Sequence, residues 1–321
     1  MNAGAEEIDR IFKEIDRIFK GGNRALATAL LEITQEMRDY WPLTVRQVFY
    51  QAVSRLILEN AQSEYRKVST VLVKLRENDL LPWSCIADRT RRTVDKRGVP
   101  NVGEFIQEQM ESFLNWRYYG RCYIQNQEVY VEVATEKDAL ASILEDAVYD
   151  YCTRLNIVRG QVSATMVNNM AERFDRAVML GKRPVLVHFG DLDPSGVSIP
   201  KALQRNLMER HGIKVELIRA ALNPEQIQEY KLPEMFDAAK KADPNYGVWL
   251  KTYGPDQSPV ELDALHPRDL TAVAQQTLES LYDMSSVEVE RENEQDERRL
   301  LKVMHREVQD FIFERWPEVL R

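Results

Sequence analysis

Two acidic strings and one tyrosine are the parts of this chain whose residue types and spacing could do chemistry. The first string is Val131-Glu132-Val133-Ala134-Thr135-Glu136-Lys137-Asp138-Ala139. The second is Val185-Leu186-Val187-His188-Phe189-Gly190-Asp191-Leu192-Asp193-Pro194-Ser195-Gly196. Each is an apolar, β-branched run that stops at carboxylates. Such runs read as buried strands of a mostly parallel sheet, and open α/β sheets place ligands just past the carboxyl ends of their strands. Glu136, Asp191 and Asp193 are therefore candidate metal ligands, and hard oxygen donors of this kind suit Mg²⁺ better than zinc. Either string alone reads equally well as a helix start, because acids complement the helix dipole and Asp193-Pro194-Ser195-Gly196 is turn-like. The two in this order, with two helical patterns between them, favour a site. Glu132 lies inside the strand-like run and is the weaker candidate. His188 reads as a packed or hydrogen-bonded strand histidine.

The tyrosine stands in Leu43-Thr44-Val45-Arg46-Gln47-Val48-Phe49-Tyr50-Gln51. Val48, Phe49, Ala52, Val53, Leu56 and Ile57 recur at helical spacing, and Thr44 is a plausible N-cap. Arg46 and Tyr50 are four apart, hence neighbours on one flank of that helix. Tyr50 sits off the centre of the apolar stripe, so its hydroxyl can face outward. A cation beside a phenol favours the phenolate and can also hold a phosphate, which are the needs of a tyrosine that attacks a phosphodiester. Taken alone, Tyr50 reads as a packing residue with its hydroxyl at the core edge.

The strand-end Glu followed by a strand-end Asp-x-Asp resembles the Toprim domain of topoisomerases, bacterial primases and some nucleases. The strings Glu-Lys-Asp-Ala and Asp-x-Asp-Pro-x-Gly are most similar to the A subunit of topoisomerase VI and its meiotic double-strand-break relatives. Ser195 here replaces the usual Tyr of the second string. That family's nucleophile lies in Thr-x-Arg-x-x-Tyr-Tyr. Thr44 and Arg46 match, Phe49 stands at the first Tyr and Tyr50 at the reacting one. The resemblance implies Mg²⁺ at Glu136, Asp191 and Asp193, with Tyr50 and Arg46 catalytic alongside Glu136. It also implies a homodimer in which the tyrosine of one protomer meets the metal of the other. The absence of an ATPase region is similar to the compact stand-alone relatives called Mini-A, and leaves open a separate GHKL-type ATPase subunit. Two other readings stay open: a Toprim nuclease that uses water, and a non-catalytic DNA-binding module.

These residues need elements to hold them. The expected fold is α/β plus α+β. Residues 1–40 form a helical extension, 41–122 a winged-helix domain carrying the tyrosine, and 123–321 a Toprim domain with a parallel sheet and helical tail. In the last, strands are expected at Val129–Ala134, near Ile157–Val158, at Pro184–Phe189 and at Lys214–Arg219. Helices are expected at Asp138–Arg154, Thr165–Leu180 and Ser198–Arg210. Arg159-Gly160-Gln161 is a loop that could lie near the site. The tail runs through Glu261-Leu262-Asp263-Ala264-Leu265, to which no chemistry is assigned. Ser285 to Arg299 reads as a solvated acidic helix or linker. The heptad Glu7–Lys13 repeats as Glu14–Lys20, too few heptads for a coiled coil.

Composition bounds the rest. The chain has 321 residues, 44% hydrophobic and 29% charged, as in ordinary globular domains. No apolar run approaches membrane-spanning length and no signal-peptide pattern is seen, so a cytoplasmic, nucleoid-associated protein without a membrane partner is expected. Cys85, Cys122 and Cys152 read as reduced, mostly buried thiols. There is no P-loop. Residues 46–97 carry 11 Lys and Arg against 6 Asp and Glu, a net of +5 in a chain of net −8. This basic stretch, with Arg89, Arg91 and Arg92 at its centre, is where duplex DNA is expected to lie. Replacing those three arginines with Ala should weaken duplex binding alike across sequences. It should also flatten the salt dependence by roughly one log–log unit per lost phosphate contact; an unchanged slope would show that they do not touch phosphate.

Overall fold

The computed structural model describes residues 13–86, 102–113, 115–158, 162–234 and 243–317. Arg89, Arg91 and Arg92 lie outside these residues, as do Arg159-Gly160-Gln161 and the first of the two heptads up to Phe12. The chain forms two compact units, one of residues 1–90 and 129–278, the other of residues 91–128 and 279–321.

The first unit is built on a parallel four-stranded sheet of β1 (Val129–Thr135), β2 (Arg154–Ile157), β3 (Arg183–Phe189) and β4 (Glu216–Ala221), in the order β2-β1-β3-β4. The long apolar runs of β1 and β3 are buried on both faces, as the central strands of a covered sheet must be. Ala134 pairs with His188 and Thr135 with Phe189, so β1 and β3 end side by side and deliver their carboxylates to one edge. Phe174, Met170 and Val167 pack with Leu203 and Leu207 against Ala134 and Leu186 to form the core on one face.

A three-helix group precedes the sheet in the same unit. It consists of α1 (Gly22–Glu36), α2 (Val45–Ser54) and α3 (Gln62–Glu77). Thr44 caps α2 in a capping box with Gln47, as its position suggested. The apolar stripe of α2 stops at Val53, however. Leu56 takes a left-handed φ of 57° that ends the helix and leaves its side chain 92% exposed. Of the α2 positions expected on the buried face, Val48, Phe49, Ala52 and Val53 are in the core, and Leu56 and Ile57 are not.

Two further boundaries differ from expectation for local reasons. The helix after β1 is a 3₁₀ turn, Asp138–Leu140, followed by α5 (Ala141–Tyr149). A left-handed Cys152 then turns the chain, and β2 begins at Arg154. The helix after β3, α7 (Pro194–His211), begins four residues before Ser198. Asp193 caps it and Pro194 takes the first position, where a missing N–H costs nothing. Here α4 is Val102–Ser112 and α6 is Ala164–Met179; after β4 come α8 (Pro224–Glu229), α9 (Tyr246–Tyr253), α10 (Pro267–Leu281) and α11 (Met284–Arg315).

In the second unit, the acidic stretch 285–299 is part of the 32-residue helix α11 rather than a linker. Two of its acids are buried and paired. Arg121 contacts Glu290 at 2.7 Å and Glu297 at 2.5 Å, its backbone N–H donates to Glu294, and Asn126 donates to Glu290. Of the three cysteines only Cys85 is buried, against the expectation of mostly buried thiols. No described helix is long and apolar enough to cross a membrane.

Glu132 is wholly buried in β1 and structural. Arg173 grips it with two hydrogen bonds of 2.6 and 2.8 Å, Asn156 adds a third, and the Tyr130 hydroxyl a fourth. Arg173→Leu would leave that carboxylate buried without its cation. It should destabilise the fold by about 3–5 kcal/mol in urea unfolding; a loss under about 1 kcal/mol would contradict this account.

Candidate active site

Three stretches of chain meet at the carboxyl edge of the sheet. Glu136 follows β1. Asp191 and Asp193 follow β3. The third is Val260-Glu261-Leu262-Asp263, far downstream. Leu192 and Val260 exchange two backbone hydrogen bonds of 2.9 and 3.0 Å, and the Leu262 N–H donates to Asp191 Oδ1 at 2.7 Å. Five carboxylates are thus gathered from three strings. The sequence reading found Glu136, Asp191 and Asp193 and missed Glu261 and Asp263. Their string has the same grammar as the other two, apolar residues interrupted by acids, but lacks a strand to announce it.

Two glycines make the close approach possible. A Cβ on Gly190 would meet His188 Cε1 at 2.4 Å and Glu136 Oε1 at 2.8 Å. One on Gly196 would meet the Asp191 carbonyl at 2.4 Å. Neither position can take a side chain without displacing the acids.

Cations occupy one side of the cluster. The Lys137 ammonium lies 3.1 Å from Asp191 Oδ1 and 3.4 Å from Glu261 Oε2, and hydrogen-bonds Asp263. Burial opposes its charge, but Asp263, Asp191 and Glu261 more than offset this and hold Lys137 firmly protonated. Arg46, reaching from α2, pairs with Glu261 at 2.6 Å. Arg219 of β4 was also missed. Its guanidinium donates to the carbonyls of Leu222, Gly196, Gly190 and Asp191, and so shapes the loop that carries the Asp-x-Asp.

The other side is undercompensated. Burial, then Asp191 and Asp193, push the Glu136 carboxyl up to about 7. Burial also raises Asp193, although its Oδ1 accepts the Gly196 N–H at 2.6 Å. His188 is fully buried as expected, but neither ring nitrogen has a hydrogen-bond partner. Its Nε2 lies 3.6 Å from Glu136 Oε1, and burial holds it neutral, down to about 3. Ser195, at the place where a Tyr is usual, bonds Asp243 at 2.6 Å and touches none of these carboxylates.

Tyr50 does not face outward. Its side chain is 1% exposed, and its hydroxyl is buried with no well-formed hydrogen bond. Burial, with Glu261 next, raises the phenol well above its ordinary range; Arg46 and Lys137 pull the other way and lose. The expected phenolate-favouring cation is therefore present but engaged by Glu261. Among the described residues, the buried side-chain polar atoms without a well-formed hydrogen bond are Glu136 Oε1, Asp263 Oδ1, both nitrogens of His188, the Tyr50 Oη that faces Glu261, the Arg46 Nε that is ion-paired with Glu261, and two others on Gln47 and Asn60. Such atoms are uncommon in folded proteins, and most of those described here lie in or beside the cluster.

Glu136, Asp191 and Asp193 offer hard oxygens, one of them orphaned, and this chemistry fits a divalent cation. Among the described residues, no three His, Cys, Asp or Glu side chains close on a single point. No protein-family model matches this chain, and no curated protein matches it.

The raised Glu136 carboxyl has a signed consequence. Its folded value, about 7, exceeds the ordinary 4.5, so its contribution to stability is intact below pH 4.5 and is lost as pH rises toward 7. In chelator, Glu136→Gln should stabilise the protein at pH 8 by about 1–3 kcal/mol, with the difference gone near pH 4. Denaturant unfolding across pH checks this, and a destabilised variant at pH 8 would contradict it.

Proposed function

We propose that this chain is a DNA-cleaving transesterase similar to the A subunit of type IIB topoisomerases, with a Toprim-like sheet and a winged-helix-like helical group. The observation that carries the reading is the Tyr50 hydroxyl, buried beside Arg46 and facing the Glu261 carboxylate without a well-formed hydrogen bond. A tyrosine placed only for packing pairs its hydroxyl well when buried; this one is held between a cation and a carboxylate in a poorly formed contact. The parallel sheet with acids at the carboxyl ends of two adjacent strands, and the capped helix carrying Thr44, Arg46 and Tyr50 in the same compact unit, support it.

In this reading Glu136, Asp191 and Asp193 hold Mg²⁺. When bound, the ion supplies charge stabilisation to a phosphate oxygen and to the leaving 3′-oxygen. Tyr50 is the nucleophile and becomes linked to the 5′-phosphate. Glu261 is the nearest acceptor for the phenolic proton, and Arg46 exchanges Glu261 for a phosphate as DNA enters. Duplex DNA is the substrate, approached through the basic stretch that includes Arg89, Arg91 and Arg92. A homodimer is the assembly this reading carries over from the resemblance, with a separate GHKL-type ATPase subunit left open.

The burial of Tyr50 favours a second reading, a Toprim-type nuclease in which water attacks and Tyr50 is core. Tyr50→Phe separates the two. Removing a hydroxyl without a well-formed hydrogen bond should change stability by less than about 1 kcal/mol, so any loss of chemistry is not a loss of fold. With duplex DNA and Mg²⁺ or Mn²⁺, the wild type should yield protein-linked DNA on a denaturing gel. Tyr50→Phe should yield none, and Arg46→Ala a reduced amount. Undiminished cleavage with free 5′ ends in Tyr50→Phe would establish the nuclease.

A further inference from the structure

We propose that Lys137 is a built-in cation that takes the place of a second metal ion, so that the site accepts one divalent ion and not two. The inference rests on the metal reading above. It follows from how charge is shared. Five carboxylates face three cations: Glu136, Asp191, Asp193, Glu261 and Asp263 against Lys137, Arg46 and Arg219. The carboxylates outnumber the cations. Asp243, which also faces Asp193, sits half-exposed at the rim and is bonded by Ser195 and the Asn245 N–H.

The deficit is not spread evenly. Lys137 serves Asp191, Glu261 and Asp263, and Arg46 reinforces it at Glu261. The opposite side holds Glu136 with an orphaned oxygen, Asp193, and the fully buried His188, whose Nε2 points at Glu136 without bonding it; Arg219 faces these acids, but its donors go to backbone carbonyls. An ammonium on a fixed stem does for three carboxylates what a cation would do, and it cannot dissociate. Asp263 is 1% exposed and keeps one oxygen without a partner, which makes its side of the cluster a latent oxygen-ligand site once the ammonium is removed. Two-metal phosphoryl-transfer sites hold their ions about 3.5–4 Å apart; here one of those positions would be the tip of a side chain.

Mn²⁺ is the probe, because its electron spin resonance spectrum reports both number and proximity. Equilibrium dialysis should give one Mn²⁺ per wild-type chain, with the spectrum of an isolated ion. Lys137→Met should bind two, with spin–spin broadening, because Asp191, Glu261 and Asp263 are then uncompensated. Asp263→Asn, which leaves the ammonium in place, should also bind one Mn²⁺, with the spectrum of an isolated ion. Two ions in the wild type, or a folded Lys137→Met that still binds one, overturns the inference and leaves the metal reading standing. Should Lys137→Met not fold, the wild-type count and Asp263→Asn decide: a Mn²⁺ lost with Asp263 would make it a metal ligand and overturn the role given to Lys137. No Mn²⁺ bound by the wild type at millimolar concentration overturns the metal reading itself.

Discussion

Buried carboxylates cannot be left without compensation, and the ties that Lys137 makes are what the first unit is arranged around. Its ammonium joins Asp191 of one loop to Glu261 and Asp263 of another. Glu261 in turn holds Arg46, and through it the helix that carries Tyr50. A single cation therefore links the edge of the sheet to the helical group. Taking one partner from such a set costs several kcal/mol, because the rest stay buried and charged.

The same residue types are used differently elsewhere in the molecule. Glu132 is as buried as any acid among the described residues, yet four hydrogen bonds reach it. Glu290 likewise receives both Arg121 and Asn126. Neither carries an unpaired atom. Around Tyr50, Glu136, His188 and Asp263 the pairing fails at one atom after another. Full pairing is what stability selects. Polar atoms buried without a well-formed partner lower stability, so this cluster is a cost to the fold that Glu132 and Glu290 do not impose.

The sheet and half of the cluster were legible in the sequence because each depends on local pattern. The runs Val129–Thr135 and Arg183–Phe189 are too apolar to be anything but central strands, and the first carboxylates past them fall at the sheet's edge by register. Period and position also separated Glu132 from Glu136, since one lies within a strand and the other beyond its end. The Thr44 cap was legible for the same reason. Glu261, Asp263 and Arg219 were not, because their roles come from a two-residue bridge between Leu192 and Val260 and from the turn that follows β4. Tyr50 was misjudged on orientation. A helical wheel places it on the flank of the stripe, but α2 is covered on that flank too, by Arg46 and the Glu261 segment. Tertiary packing, not periodicity, decides which polar flank of a short helix stays wet.

The central claim is that Tyr50 and the carboxylate cluster form one reaction centre. It is tested most directly by finding the atom to which DNA becomes attached. The wild-type protein would be incubated with duplex DNA and Mn²⁺, denatured, and digested with nuclease and protease. The peptides would then be sequenced by mass spectrometry. The account predicts a nucleotide joined through phosphate to the tyrosine of the peptide containing Tyr50. Cleaved DNA with free 5′-phosphates and no modified peptide, or an adduct on any other residue, would contradict it.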